Sequence, residues 1–324
     1  MRCVLGVDGG QTSTVAVVLR DDGVVLGRGY GGPANHLTEP GGMERLEASL
    51  RTAVEAARNR AGWSGVFASA CVGLTGLALG VEALCANVIR AERMAVVHDT
   101  RIALYSVTLG KPGVVVIAGT GSVAYGENAQ GECASCGGWG YLLGDEGSGY
   151  WIGLQALNAM TRAADGRGPA TSLSDAVCRH LGVADVHGVH HLVYSHRLDR
   201  RGVAEIARIV DMCAEDGDTI SRRILRNAGK ELGLQASLVL NRLGMADQPV
   251  MVGCVGGVFQ AGRWVCPAMA ASIKRTAPGS QVVRPKAPQS VASALRALEA
   301  LGVAVDEQLL QRVAASLGPG AESK

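Results

Sequence analysis

Asp8, Thr12, Asp99, Thr120 and Asp145 are the residues whose types and placement could do chemistry in this chain. Thr12 lies in Val7-Asp8-Gly9-Gly10-Gln11-Thr12-Ser13-Thr14, directly after the apolar run Cys3-Val4-Leu5. Thr120 lies in Ile117-Ala118-Gly119-Thr120-Gly121-Ser122, directly after Val114-Val115-Val116. In each, a strand enters a turn of small residues tipped with hydroxyls. Such a turn lets backbone N–H groups approach an anion closely, and the hydroxyls add donors. One such turn could be a plain hairpin; two, with carboxylates between and after them, point to a phosphate clamp. Asp8, beside the first glycine pair, reads as a Mg²⁺ ligand or as the anchor of an Asx turn. Asp99 ends the apolar strand Ala95-Val96-Val97 and precedes a helix. It reads as a carboxylate at the ligand-binding end of an α/β sheet or as a helix N-cap.

Gly137-Gly138-Trp139-Gly140, continuing to Asp145-Glu146-Gly147-Ser148-Gly149, is the densest glycine stretch. Trp139 offers an apolar face and Asp145 an acceptor pair, as a sugar needs; alternatively Trp139 anchors the loop in a core. Val252-Gly253-Cys254-Val255-Gly256-Gly257 is a strand entering a third glycine turn, flat enough for a nucleoside. The nine cysteines include Cys3, Cys71 and Cys254 inside apolar stretches, where they read as small buried hydrophobes. Cys133-Ala134-Ser135-Cys136 has no second CxxC at zinc-ribbon spacing, so chance neighbours are favoured over a metal site. His187, His190, His191 and His196 share a polar stretch with Arg197, Asp199, Arg200 and Arg201, which reads as a solvated loop or helix face.

These residues need elements to hold them. Strands are expected at Cys3 to Val7, Val15 to Leu19 and Val24 to Leu26, with a hairpin at Asp21-Asp22-Gly23. Met43, Leu46, Leu50, Val54, Ala57 and Ala61 recur at helical spacing until Gly62. Ala68 to Leu74 is a strand ending at Thr75-Gly76, and a weak helix leads to the strand ending at His98-Asp99. That order describes an α/β layer of the ribonuclease-H type. The second half starts the same way, runs through a long helical region from Tyr150 to Leu243, and has a strand at Val250 to Val255 that closes its sheet. The last helix, Val291 to Leu301, could return to the first domain. The expected architecture is two ribonuclease-H-like α/β domains, 1–110 and 111–324, the second with a helical insertion, around an interdomain cleft.

With 324 residues there is enough chain for two cores, and 48% hydrophobic content with 4% aromatic means cores of Ala, Val and Leu. A net charge of +2 gives no bulk attraction to nucleic acid or membrane, so the expected partner is a small molecule. The N-terminus lacks a basic region before a long apolar core, and no apolar run nears the roughly 20 residues that span a bilayer. The expected location is the cytoplasm.

Together the motifs resemble the actin/sugar-kinase/Hsp70 ATPase superfamily and, within it, the BadF/BadG/BcrA/BcrD group that includes N-acetylglucosamine kinase. DGGQTST at 8–14 matches the first phosphate motif, IAGTGS at 117–122 the second and VGCVGGVF at 252–259 the adenosine motif. GGWGYLLGDEGSGYWIG at 137–153 is similar to the loop that marks N-acetylhexosamine kinases. The resemblance implies ATP-dependent phosphorylation of an amino sugar at its 6-hydroxyl, most simply N-acetylglucosamine, with Mg²⁺, in a homodimer. It places Asp8, Gly10, Thr12, Gly119, Thr120 and Gly121 at the phosphates and metal, and Gly256 and Gly257 at the nucleoside. Asn35, Asp99, Gly138, Trp139 and Asp145 fall at the sugar, with Asp99 as general base. Ser13 stands where many relatives carry a basic residue, and Gln289-Ser290-Val291-Ala292-Ser293 lacks an expected glycine. The alternatives are glucosamine or N-acetylmuramic acid as acceptor, an ATPase activator of a reductive dehydratase using Cys133 and Cys136, and a sugar-sensing regulator.

Overall fold

The computed structural model describes residues 2–34 and 37–317. The chain divides into two compact units, residues 1–111 with 285–324 and residues 112–284.

The first unit opens with an antiparallel meander, β1 (Cys3–Gly9), β2 (Thr14–Arg20) and β3 (Val25–Gly31). It continues through α1 (Gly42–Ala61), β4 (Ser69–Leu74), α2 (Val81–Val88), β5 (Met94–His98) and α3 (Asp99–Thr108). The sheet order is β3-β2-β1-β4-β5, with β4 parallel to β1 and β5 parallel to β4. β1 and β4 are buried on both faces, which is why Val4-Leu5 and Ala70-Cys71-Val72 read as continuous apolar runs instead of alternating. On α1, Leu46, Leu50, Ala53, Val54 and Ala57 form the buried stripe, and Gly62 ends the helix in a left-handed cap.

The second unit repeats the plan with β6 (Gly113–Ala118), β7 (Ser122–Glu127) and β8 (Cys133–Gly137). Five helices follow: α4 (Gly149–Ala164), α5 (Leu173–Leu181), α6 (Val186–Tyr194), α7 (Arg200–Glu215) and α8 (Thr219–Arg242). β9 (Met251–Val255), a 3₁₀ turn at Gly257–Gln260, α9 (Gly262–Lys274) and β10 (Gln281–Val283) complete it. The order β10-β9-β6-β7-β8 is the first sheet's order, with β6 in the place of β1 and β9 in the place of β4. Residues from Pro285 onward belong with the first unit, not with the second half as a boundary at 111 has it. There α10 (Gln289–Glu299) covers β1, and the Ser293 hydroxyl donates to the Val7 carbonyl at 3.0 Å. α11 (Glu307–Leu317) buries Leu309 and Val313 in the same unit.

Both sheets are the expected α/β layers, with two corrections at the edge of the second. Val250 to Val255 does not close it: β10 pairs beyond β9, and β8 pairs beyond β7. Both edge strands are short, and neither carries the apolar run that marks a buried strand. β8 also carries the CxxC. Cys133 and Cys136 are three apart on a strand of period two, so their side chains leave opposite faces. Cys133 is exposed and accepts a hydrogen bond from the Tyr125 hydroxyl at 3.1 Å, and all nine cysteines are free. Among the described residues no helix is long and apolar enough to cross a membrane, and no three His, Cys, Asp or Glu side chains form a metal cluster.

Candidate functional site

In the first unit the parallel strands β1, β4 and β5 end side by side, with Gly9 opposite Leu74 and Leu74 opposite His98. This is the sheet end at which α/β proteins bind ligands. Asp8 on β1, Thr75 just after β4 and Asp99 just after β5 therefore share one edge, and the Thr75 N–H donates to the Gly9 carbonyl at 2.9 Å. The Thr75 hydroxyl donates to Asp99 Oδ2 at 2.6 Å. Asp99 is not the helix cap. His98 caps α3, its Nδ1 accepting from the Thr100 N–H at 3.3 Å, and Asp99 is the first helical residue. The same Nδ1 lies 2.9 Å from Asp99 Oδ1 and 2.9 Å from the Thr100 hydroxyl. With its proton on Nε2 the ring caps the helix; with a proton on Nδ1 it donates to Asp99. The bond to Asp99 raises the His98 pKa, against the opposing effect of burial.

Burial, and then the charge of Asp99, push the Asp8 carboxyl up to about 7. Among the described residues Asp8 makes no Asx turn. The turn after it is held by the Gly10 N–H donating to the Ser13 carbonyl at 3.0 Å and the Ala34 N–H donating to the Gly10 carbonyl at 2.9 Å. Thr12 is exposed at its tip. Asn35 lies outside the described residues.

In the second unit the carboxyl ends of β6 and β9 are adjacent, with Ile117 opposite Val255. The turn Gly119-Thr120-Gly121 and the exposed pair Gly256-Gly257 follow these ends directly. The turn is closed by the Gly119 N–H donating to the Gly121 carbonyl at 2.9 Å. It is fastened to α4, whose first N–H, from Gly149, donates to the Gly119 carbonyl at 2.8 Å. The start of a 16-residue helix thus lies at the turn, where its dipole favours an anion.

Gly138 and Trp139 follow β8 at the same end of the sheet, the Gly138 N–H donating to the Ser122 carbonyl at 2.9 Å. Trp139 is 75% exposed, so it is not the core anchor of its loop, and it presents an open aromatic face. Asp145 is placed differently from an open sugar acceptor. It is buried, in a left-handed backbone conformation (φ 61°). Its Oδ1 accepts from the Ser122 N–H at 3.1 Å and its Oδ2 from Arg200 Nη2 at 3.0 Å. In this arrangement the carboxylate braces the hydroxyl turn from beneath.

Thr75 and His98 in the first unit, and Arg200 in the second, hold positions beside the candidate residues that the sequence motifs do not assign. Thr75-Gly76 ends a strand as Asp99 does, and that is the signal by which Thr75 could be found. Nothing in the spacing of Arg200 connects it to a turn nearly 80 residues earlier.

The model of the BadF/BadG/BcrA/BcrD ATPase family matches residues 5–294. An N-acetylmuramic acid/N-acetylglucosamine kinase of Clostridium acetobutylicum is 32% identical over 265 residues, covering 80% of this chain and 86% of that protein. An N-acetyl-D-glucosamine kinase of Dictyostelium discoideum is 27% identical over 91% of this chain and 97% of its own length. Among solved structures, a protein of Chromobacterium violaceum provisionally named an N-acetylglucosamine kinase superposes with a TM-score of 0.74 at 28% identity, covering 92% of this chain and 99% of that one.

Proposed function

Because the chain belongs to the BadF/BadG/BcrA/BcrD ATPase family, we propose that it transfers the γ-phosphoryl group of ATP to the 6-hydroxyl of an amino sugar, N-acetylglucosamine first. The observation that carries this reading is the Asp99 carboxylate, set at the ligand end of β5 and fixed by the Thr75 hydroxyl at 2.6 Å. Asp99 accepts the proton of the 6-hydroxyl as that oxygen bonds to the γ-phosphorus and the bond from phosphorus to the bridging oxygen of ADP breaks. Thr75 donates to one carboxylate oxygen and leaves a lone pair on the other for the incoming proton. Gly119, Thr120 and Gly121 receive phosphate oxygens with the dipole of α4 behind them, Gly10 and Thr12 do the same on the first turn, and Gly256 and Gly257 line the nucleoside. Trp139 and Gly138 meet the sugar, Trp139 through its exposed ring face. The names of the relatives support the acceptor class.

Asp8, with the charge of Asp99 nearby, fits a hard divalent cation. The two carboxylates are close enough for one to raise the pKa of the other, and a site with few protein ligands and phosphate oxygens suits Mg²⁺. Asp8 would hold the metal, which would neutralise charge on the transferring phosphoryl group. A titration test follows. Only ionised Asp8 binds metal, so Mg²⁺ activation strengthens as pH rises through about 7. The folded pKa lies above the unfolded one, so without metal Asp8 favours the fold below about 4 and that contribution is lost as pH rises through about 7. Asp8→Asn is expected to melt higher than wild type at pH 8 in chelator, equally at pH 4, and to lose the pH dependence of Mg²⁺ activation. Identical melting curves at pH 8 would remove the shifted carboxyl.

The reading as a whole is tested by ADP release with N-acetylglucosamine, glucosamine, N-acetylmannosamine and N-acetylmuramic acid in turn, with the product's phosphorus located by NMR. Turnover on an amino sugar with phosphorus on O6 is expected. ADP release that no acceptor stimulates would overturn the reading.

A further inference from the structure

The polar stretch from His187 to Arg201 reads as solvated, but one of its arginines is set apart. Arg200 is the first residue of α7, its side chain is 27% exposed, and its Nη2 donates to Asp145 Oδ2 at 3.0 Å. Its Nε is buried with no hydrogen-bond partner among the described residues. The Tyr141 ring centroid lies 5.1 Å from the guanidinium carbon, and this stacking fixes the orientation of the group.

The position of that group relative to the hydroxyl turn is fixed at Gly121. A Cβ there would stand 2.9 Å from Asp145 Oδ2 and 3.1 Å from Arg200 Nη2. The guanidinium therefore lies directly against the turn, in the space a side chain at 121 would fill. Neither hydroxyl turn carries a cation: residues 8–14 read Asp-Gly-Gly-Gln-Thr-Ser-Thr, and residues 117–122 read Ile-Ala-Gly-Thr-Gly-Ser. A polyphosphate brought to the second turn also meets the charge of Asp145 beneath it. A positive group at this spot both cancels that charge and has donors to spare, because a guanidinium carries five N–H bonds and Asp145 takes one.

We infer that Arg200 binds the phosphate oxygens of the nucleotide at the Gly119–Gly121 turn, supplying the positive charge that the turn sequences lack. The inference rests on the kinase reading for its ligand. It concerns only the second unit, where Arg200, Asp145 and the turn all lie.

The test is calorimetric binding of ADP and of adenosine to the full chain, with ADP release on an amino sugar assayed alongside. Arg200→Gln alone leaves Asp145 buried and unpaired, so the Asp145→Asn/Arg200→Gln double variant, which lacks both buried charges, is measured with it. Without the charge-assisted hydrogen bond from the guanidinium to a phosphate oxygen, ADP is expected to bind roughly 10- to 100-fold more weakly in both variants. Adenosine affinity stays within about two-fold of wild type, and Arg200→Lys recovers part of the ADP loss. If Arg200 serves only to neutralise Asp145, the double variant binds ADP as wild type does, and the inference falls. Equal losses for ADP and adenosine would overturn it as well, since they report a damaged fold. Failure of the kinase reading is a separate result: wild type that binds ADP but transfers phosphate to no sugar.

Discussion

Asp99→Asn is expected to lower kcat by about 10²–10⁴ while leaving the affinity for ATP within about two-fold. The amide oxygen of Asn can still accept from the Thr75 hydroxyl that Asp99 meets at 2.6 Å, so the side chain keeps its place and loses only its basicity. Capping of α3 survives, because His98 supplies the cap. One further change separates loss of a base from general damage. Asp99 helps raise the Asp8 pKa, so the Asp8 titration in Asp99→Asn shifts downward, towards the ordinary carboxylate range, readable by NMR of the labelled carboxyl. Steady-state kinetics with saturating Mg²⁺ and a stopped single-turnover measurement would give the chemical step directly. Turnover near wild type would remove Asp99 as the base and leave the carboxylate with a positioning role.

The sheet is readable from the sequence where strands are central and not where they are edges. Val114-Val115-Val116 and Ala70-Cys71-Val72 are buried on both faces and declare themselves as apolar runs. Gln281-Val282-Val283 pairs on one side only, and Cys133 to Gly137 is partly exposed along its length, so neither carries such a run. The site divides the same way. Asp8, Asp99, Thr120 and Gly256 stand directly at strand ends, and a strand end fixes position from local sequence alone. Asp145 is legible as a carboxylate in a glycine loop, but its burial depends on Arg200 and on the Ser122 N–H, neither local to it. Arg200 is visible in the sequence only as one charge among several, since the meeting of a helix start and a hairpin is set by packing. His98 lies beside Asp99 in sequence, yet its two roles depend on which ring nitrogen carries the proton.

Gly256→Ala should combine a structural loss with a binding loss, and Gly257→Ala should separate them. Gly256 has φ +110°, a conformation side-chain-bearing residues rarely adopt, and a Cβ there would stand 2.4 Å from the Ala118 carbonyl oxygen. Ala118 leads into the Gly119–Gly121 turn, so the clash drives the end of β9 and that turn apart. Strain of this kind costs about 1–3 kcal/mol, and the expected result is a lower melting temperature together with ATP affinity weakened by about 5- to 100-fold. At Gly257 the backbone is not left-handed and nothing lies within 4 Å of a Cβ, so alanine fits without disturbing the fold. The Gly257→Ala chain should therefore melt as wild type does. If the nucleoside lies flat on this pair, the added methyl still weakens adenosine binding, because a ligand that rests on bare backbone has no room for it. Calorimetric titration of adenosine against both variants separates the two effects. Wild-type adenosine affinity in Gly257→Ala would place the nucleoside elsewhere and leave Gly256 as a packing glycine between two strands.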